Sequence, residues 1–395
     1  MEAITETRST GDSTKLIAVS LGHFINDFYM EMLPPILFLF TASLSLTLTQ
    51  QGLIATVITS SGSFLQPLIG FFVDKKGKSW LLIVSVIWIA FWISISGLIN
   101  NYFLLLFIVG LGSVASALYH PLGSASAAKL DNNSRGKNLA IFMAIGGFAG
   151  SLPPIIVLPL VLKYGLNTLV LFIFPGLIIA GLMYALKLQH LEFDNNIPEK
   201  TAQENPTLSI FNYKWVAVLV FFATNKVLVR RSLITFGAQI LLLKSVDLKT
   251  AGILLSLYMF LNSAGTILGG YFNDRVGSKK VMIIFNLLTT LSILMINFSS
   301  NLIIIVTAFI IAGLSLSGPN TSNILLAQSF LPRNVTMATG LIMGFAGGIG
   351  GMGIFVFGML SDIFGLLLAC KLLLIPLVTV NILSILLPAA GEVPN

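Results

Sequence analysis

The sequence predicts an all-α polytopic membrane protein with twelve transmembrane helices in two pseudo-symmetric six-helix halves. The composition, the spacing of the apolar segments and an internal repeat support this prediction. Of the 395 residues, 56% are hydrophobic and only 9% are charged, whereas soluble domains carry roughly 25% charged residues. A bilayer-spanning helix needs about 20 apolar residues, so the chain has room for about twelve. This composition excludes a soluble enzyme.

Apolar runs separated by helix-breaking residues predict six helices, a polar linker and six more helices. The predicted helices are 15–39, 50–73, 80–99, 102–128, 137–162, 166–186, 214–243, 248–273, 280–299, 301–328, 334–360 and 365–390. The two bundles therefore cover 15–186 and 214–390, joined by a cytoplasmic linker at 187–213. Short cytoplasmic tails are predicted at 1–14 and 391–395.

An internal repeat supports this division into halves. Gly70-Phe-Phe-Val-Asp74-Lys75-Lys76-Gly77 corresponds to Gly270-Tyr-Phe-Asn-Asp274-Arg275-Val276-Gly277 at a shift of 200 residues. Three more matches occur at shifts of 197 to 200: Gly147-Phe-Ala-Gly150 with Gly344-Phe-Ala-Gly347, Pro121 with Pro319, and Tyr164-Gly165-Leu166 with Phe364-Gly365-Leu366. In transporters built from such repeats, the substrate site lies between the halves near the middle of the membrane.

The basic residues are concentrated on one side of the predicted membrane. Fifteen of the 22 Lys and Arg residues fall in segments that alternate helices place together, against Lys163, Lys244 and Lys249 in the opposite loops. Because cytoplasmic loops carry the excess of Lys and Arg, both termini are expected in the cytoplasm, with the chain in the inner membrane. The net charge of +7 then reflects topology and gives no reason to expect a nucleic-acid partner.

Two sets of residues resemble known transporters. The repeated Gly-x-x-x-Asp-(Arg/Lys)-x-Gly loop is similar to the signature of the major facilitator superfamily, and this resemblance covers the whole chain. Gly22-His23-Phe24-Ile25-Asn26-Asp27 and Tyr119-His120-Pro121 together resemble the fosmidomycin-resistance branch of drug-exporting proton antiporters. The resemblance implies transport by alternating access, driven by a proton gradient without a bound cofactor, and export as its direction.

The repeated loop is also a candidate conformational latch. In the family this loop holds the cytoplasmic side closed, which assigns that role to Gly70, Asp74, Lys75, Gly77, Gly270, Asp274, Arg275 and Gly277. A carboxylate at such a position can accept hydrogen bonds from the positive N-terminus of a neighbouring helix. The alternative is that these residues serve only solvation of the loop and membrane topology.

Ionisable residues inside the predicted helices are the strongest candidates for function, because each is costly in a bilayer unless it is paired or hydrated. On the first helix, His23, Asp27 and Glu31 are spaced four residues apart and share one face, with Asn26 beside them. The symmetry-related seventh helix carries a basic set that faces this acidic one, namely Lys226 and Arg230 four residues apart, with Asn225 beside them. Arg231 lies about 100° further round this helix, toward another helix. The fourth helix adds His120, and the tenth adds Asn320 in the repeat position of the His120 region.

Two interpretations of these charges remain open. In the first, one set of residues exchanges protons, namely Asp27, Glu31, His23 and His120. A second set binds an anionic substrate, namely Lys226, Arg230, Arg231, Asn26, Asn225 and Asn320. In the second, the charges only neutralise each other, and the histidines only bond helix carbonyls. Three cations against two carboxylates favour the first. A divalent metal on the histidines and carboxylates is disfavoured by the nearby cations, so no metal site is predicted.

These observations predict a proton-coupled antiporter that exports a small, anionic organic compound or drug. The alternatives are proton-linked uptake of an organic anion and a receptor or scaffold that keeps the fold without a transport cycle. The expected partners are a small-molecule substrate and the lipid bilayer. Nothing in the sequence requires more than a monomer.

Overall fold

The computed structural model describes residues 10–76, 78–130, 135–191, 210–331 and 335–388, and within them the chain is helical. The first half contains α1 (Thr10–Met30), α2 (Leu37–Leu44), α3 (Leu48–Lys76), α4 (Trp80–Ile95), α5 (Tyr102–Lys129), α6 (Arg135–Ala149), α7 (Pro153–Tyr164) and α8 (Ile173–Ala185). The second half contains α9 (Ile210–Leu243), α10 (Leu248–Val276), α11 (Ser278–Phe298), α12 (Leu302–Ser317), α13 (Asn320–Phe330), α14 (Val335–Gly340), α15 (Ala346–Phe364), α16 (Leu366–Leu372) and α17 (Leu374–Leu386). Most of the predicted linker and all of the C-terminal tail lie outside the described residues.

These helices form the twelve predicted spans. Within the described residues, nine helical stretches are long and apolar enough to cross a membrane, and they correspond to the third to sixth and the eighth to twelfth spans. The first span consists of α1 and α2, the second span is α3, and the seventh span is α9. Two of these carry the ionisable residues singled out above, which lowers their hydropathy. The outward surface bears large apolar side chains such as Phe103, Phe174 and Ile303, as expected for contact with lipid.

Several predicted helices are broken where proline removes a backbone donor. The predicted helix 15–39 starts earlier, at Thr10, and α1 ends at Met30, before the short 3₁₀ turn Pro34–Ile36. The predicted helices 137–162 and 301–328 are each divided, before Pro153 and at Pro319. Pro121 instead lies inside the continuous helix α5. The two repeats therefore respond differently to prolines that correspond in sequence.

The turns between spans have the expected capping residues. Asn101, Asp247 and Asn301 accept hydrogen bonds from backbone N–H groups in the first turn of α5, α10 and α12. Such caps satisfy N–H groups that have no partner within the helix. Gly277 terminates α10 with φ of +84°, a conformation that residues with a Cβ rarely adopt.

The two halves pack against each other mainly through α3 with α15, and through α10 with α6 and α7. We call the end of the bundle where α3 begins and α15 ends the closed end, and the opposite end the linker end. At the closed end the helices approach at backbone distance: a Cβ on Gly52 would lie 2.7 Å from the carbonyl oxygen of Ile354. Small residues permit this close helix contact in membranes.

Candidate functional site

A cavity of about 290 Å³ lies between the halves in the middle of the bundle. Both halves contribute polar side chains to its wall. The first half supplies Asp27, Glu31, Ser116 and His120, and the second supplies Arg230, Arg231, Asn262, Ser263, Ser317 and Asn320. This position between repeated halves is the one expected for a transporter's substrate site.

Three predicted residues, His23, Asp27 and His120, form what we call the coupling cluster. The Nε2 atom of His23 lies 3.2 Å from Oδ2 of Asp27, and Nε2 of His120 lies 3.4 Å from Oδ1 of Asp27. His120 and Asp27 line the cavity, whereas His23 is buried behind them. One carboxylate therefore joins two imidazoles from α1 and α5.

The surroundings of His23 determine where its proton lies. Its Nδ1 atom is 2.8 Å from the carbonyl oxygen of Phe142, and a carbonyl only accepts hydrogen bonds, so Nδ1 donates. A neutral His23 then presents the bare lone pair of Nε2 to Asp27. The 3.2 Å contact is favourable only when a proton lies between the two atoms. The geometry thus calls for one proton held by the His23–Asp27 pair.

Packing fixes the His23 ring in this orientation. The ring stacks on Phe142 with centroids 4.0 Å apart and planes 10° from parallel. Gly146 lies on the same helix as Phe142, and a Cβ there would overlap the imidazole. Asn26, predicted as a substrate ligand, lies outside the cavity wall. Its Nδ2 donates to Asp27 Oδ1 at 3.1 Å and to Ser116 Oγ at 3.2 Å, which orients the carboxylate.

Glu31 contacts the other half of the protein. Nη1 of Arg231 donates to both oxygens of the Glu31 carboxylate, at 2.6 and 2.7 Å. The sequence interpretation placed Lys226 and Arg230 opposite the acidic stripe and turned Arg231 toward another helix. Glu31 is the first residue beyond α1, and its N–H still donates to the carbonyl oxygen of Asp27 at 3.0 Å, so Glu31 lines the same cavity as Asp27 but has Arg231 as its partner.

Arg230 is the cavity cation that no carboxylate neutralises among the described residues. Lys226, one turn away on the same face, is buried, and its ammonium has no hydrogen-bond partner in the described part of the chain. Lys226 and Asn225 do not line the cavity, and Asn225 donates to Phe221 of its own helix. Asn320 does line the cavity. Arg230 and Asn320 are therefore the predicted substrate ligands that reach the cavity without a carboxylate partner.

The predicted latch residues are only partly described. Gly77 lies outside the described residues, as do the side chains of Asp74 and Lys75 and the surroundings of Gly70. In the second copy Asp274 is exposed, and the Arg275 guanidinium lies 4.2 Å from the Tyr271 ring centroid. The polar contacts of that copy belong to Asn273, whose Oδ1 accepts hydrogen bonds from Ser278 and Ser322.

A carboxylate that the sequence interpretation did not single out joins the halves at the closed end. Asp362, near the end of α15, accepts hydrogen bonds from the backbone N–H groups of Leu48 and Thr49 at 2.9 and 2.8 Å. The Thr49 hydroxyl also donates to Asp362, at 2.5 Å. Asp362 therefore caps the N-terminus of α3 from the opposite half.

The coupling cluster also has the composition of a metal site. One ligand atom from each of His23, Asp27 and His120 lies within 4.8 Å of the others. The hydrogen bond from His23 Nδ1 to a carbonyl is the outer contact that metal-bound histidines make. The predicted absence of a metal therefore stays a prediction.

Comparison with known proteins places this arrangement in a family context. The profile of the Major Facilitator Superfamily matches residues 19–242 and 227–392. The fosmidomycin resistance protein of Escherichia coli (strain K12) is 25% identical over 353 residues, which cover 87% of this chain and 86% of that protein. The uncharacterized MFS-type transporter YfnC of Bacillus subtilis (strain 168) is 27% identical over 367 residues, 89% of this chain and 87% of that protein.

Solved structures share the fold. A mutant of the nucleoside transporter NupG superposes with a TM-score of 0.80 at 14% identity, over 94% of this chain and 99% of that one. A bacterial homolog of the human lysosomal transporter Spinster, inward-facing and unoccupied, gives a TM-score of 0.76 at 15% identity, over 96% of this chain and 97% of that one. At these identities the likeness shows the fold alone.

Proposed function

The chain belongs to the major facilitator superfamily and is a multi-pass membrane transporter, and on this premise we propose that it is a proton-coupled antiporter exporting a small organic anion. The contact between His23 Nε2 and Asp27 Oδ2, which needs a bound proton, carries the proposal of proton coupling. The similarity to a protein named for fosmidomycin resistance supports export as the direction. The halves would rock about the central cavity between states open to either side.

Within the coupling cluster, the three side chains have different tasks. Asp27 and His120 line the cavity, so protons reach Asp27 from the cavity, with His120 as the relay. His23 lies behind them and is fixed by Phe142, so it positions the carboxylate and shares its proton. Histidine titrates near neutral pH, which suits a proton that must be loaded and released in each cycle.

The substrate anion would bind at Arg230. Arg231 is occupied by Glu31, which leaves the Arg230 guanidinium free to bind an anion in the cavity. An arginine can donate two parallel hydrogen bonds to a carboxylate or phosphonate, whereas lysine supplies only a point charge. The buried ammonium of Lys226, one helical turn away, adds positive potential without direct contact.

The charge distribution supports a topology in which the linker end is cytoplasmic. Both termini would then lie in the cytoplasm, and the protein would be in the cell membrane. The closed end would face the outside, so the structure would be the state that is shut to the exterior. In this state protons and substrate exchange with the cytoplasm.

The test uses purified protein in liposomes under an imposed pH gradient, with a ligand first identified by a thermal-shift screen of varied solutes. Binding to the folded state alone raises the melting temperature. Asp27→Asn should abolish gradient-driven accumulation while counterflow exchange of the substrate survives. Asp247→Asn is the matched control, since Asp247 is a fully exposed cap and Asn caps equally well. Accumulation that persists in Asp27→Asn would overturn the coupling role.

The substrate proposal has its own test. Arg230→Lys keeps the charge but loses the paired hydrogen bonds, so it should weaken substrate binding by roughly tenfold, as expected for one charged hydrogen bond of about 1.4 kcal/mol. The melting temperature should change little. Uptake driven by inward proton flow would favour the alternative of import, and a ligand that binds without ever being moved would favour a receptor.

A further inference from the structure

A second cavity, of about 560 Å³, lies between the halves at the closed end, between α7 and the first turns of α10. We call it the α7–α10 groove. Its walls are apolar, formed by Pro154, Ile155, Leu158, Pro159, Leu162, Leu248, Gly252 and Ile253. Two lysines complete the lining, Lys163 near the end of α7 and Lys249 at the start of α10.

These lysines are unusual for their side of the protein. The sequence places three Lys residues in the closed-end loops, and two of them border this groove. The third, Lys244, donates to the carbonyl oxygens of Ser299 and Asn297 at 2.7 and 3.4 Å, so its ammonium group already has hydrogen-bond acceptors within the protein. Lys163 and Lys249 are exposed and make no ion pair with a carboxylate in the described chain.

Two neighbouring groups set the local balance of charge. Lys163 lies 5.0 Å from the centroid of the Tyr164 ring, an amphipathic side chain that favours the membrane–water boundary. Asp247 precedes Lys249 by two residues, and the hydrogen bonds it accepts from Thr250 hold the pKa of its carboxyl below its usual range. The Asp247 carboxylate is thus already bonded to the first turn of α10. The two positive charges of Lys163 and Lys249 exceed its single negative charge, so the groove keeps a net positive charge.

The length of the groove matches one leaflet of a bilayer. Pro154 and Lys163 are nine residues apart on α7, which corresponds to roughly 14 Å along a helix. That is about half of the roughly 30 Å hydrocarbon core. The groove therefore runs from headgroup level toward the midplane, and Ile155, Leu162 and Ile253 are each about half exposed along it.

We propose that the α7–α10 groove binds an anionic phospholipid, with its phosphate between Lys163 and Lys249 and an acyl chain along the apolar walls. The walls belong to different halves: a Cβ on Gly252 would lie 3.0 Å from Leu158 Cδ2. Opening of the closed end separates these walls and destroys the site. The bound lipid therefore stabilises the closed state and makes the transport cycle sensitive to the anionic lipid content of the membrane.

The test compares phosphatidylglycerol with phosphatidylcholine of the same acyl chains, titrated into the purified full-length protein. Lipid binding is measured by native mass spectrometry and melting temperature. The double variant Lys163→Gln/Lys249→Gln should bind phosphatidylglycerol about 30-fold more weakly, from about 1 kcal/mol per lysine near an anionic surface, with phosphatidylcholine binding unchanged. The control, Lys279→Gln/Lys280→Gln, removes two lysines at the linker end and should retain the preference.

A conformational readout tests the second half of the proposal. Spin labels on Asn100→Cys and Ser300→Cys, in a Cys370→Ala background, report the separation of the halves at the closed end. Nanodiscs with phosphatidylglycerol should shift the distances toward the short, closed population, and the groove variant should lose this shift.

Equal binding of the two lipids, or an unchanged preference in the groove variant, would overturn the lipid site. So would an equal loss in the linker-end control, which would indicate general surface charge. If inorganic phosphate gave the same lysine-dependent stabilisation, the occupant of the groove would be a free anion rather than a lipid. If the protein formed a concentration-dependent dimer through this face, the occupant would be a second copy of the chain. A distance distribution that is the same in both lipids would overturn the conformational effect.

Discussion

Asp362 is the residue through which the structure predicts control of the closed end. Its carboxylate accepts three hydrogen bonds from Leu48 and Thr49 across the two halves. Because this cap joins two halves, it exists only while the closed end is shut. Its loss should therefore change the equilibrium between states more than the stability of either half.

The magnitude follows from known helix caps. Replacing an Asp cap by Ala costs about 0.5–2 kcal/mol, and the exposure of Asp362 lets water replace part of the lost interaction. A change of about 1–1.4 kcal/mol corresponds to roughly a five- to tenfold increase in a ratio of populations, that of molecules in which this end has opened to molecules in which it is shut. Asp362→Asn should give a smaller shift, since Asn caps helices but lacks the charge.

The assay is the distance distribution between labels on Asn100→Cys and Ser300→Cys, in a Cys370→Ala background. Asp247→Ala is the matched control, because Asp247 caps α10 from within one half. That variant should lower the melting temperature and leave the distances unchanged. A wild-type distribution in Asp362→Ala, or an equal shift in Asp247→Ala, would refute the reasoning.

Three other predictions test the site. Arg231→Ala should lower the unfolding free energy by about 1–3 kcal/mol. This is less than the 3–5 kcal/mol of a fully buried pair, because both side chains are about 15% exposed. Adding Glu31→Gln to Arg231→Ala should restore the melting temperature. Gly146→Ala should displace the His23 ring and reduce proton-driven accumulation, whereas Gly181→Ala, which meets open space, should not. EDTA should leave transport unchanged because the positive charge of α9 opposes a divalent ion at the coupling cluster, and inhibition reversed by Zn²⁺ would instead establish a metal site.

The fold could be predicted because its causes are local. Length, apolar content and the repeat are properties of the sequence itself, and the prediction of twelve helices in two halves is confirmed. The breaks before Pro34 and at Pro319 were less predictable, because Pro121 has the same chemistry and lies in a continuous helix. Whether a proline breaks a helix depends on the neighbours that accommodate it, and those neighbours come from other parts of the chain.

The site was predictable in composition but not in pairing. The four-residue spacing on α1 brought His23 and Asp27 together because both lie on one regular helix. The same spacing placed Glu31 at the same cavity as Asp27, but it did not predict that the partner of Glu31 is Arg231. Ser116 and Asp362 gave no distinct signal, since a lone serine in an apolar helix and a carboxylate at a helix end are common. Their roles depend on helices about 90 and 313 residues away in sequence.

The position of Asp362 relates the closed end to the predicted latch at the other end. Asp74 lies near the end of α3, in the second span, and Asp362 lies near the end of α15, in the eleventh. The second and eleventh spans pack against each other and cross the membrane in opposite directions. The eleventh span begins with α14 (Val335–Gly340), so each span ends at the end of the bundle where the other begins. Each carboxylate can therefore cap the partner's N-terminus only at its own end of the bundle. Asp362 caps α3 at the closed end, and by the same argument we expect Asp74 to cap the N-terminus of the eleventh span when the linker end shuts. On this hypothesis the two acids alternate, and removing either one should shift the equilibrium in the opposite direction from removing the other.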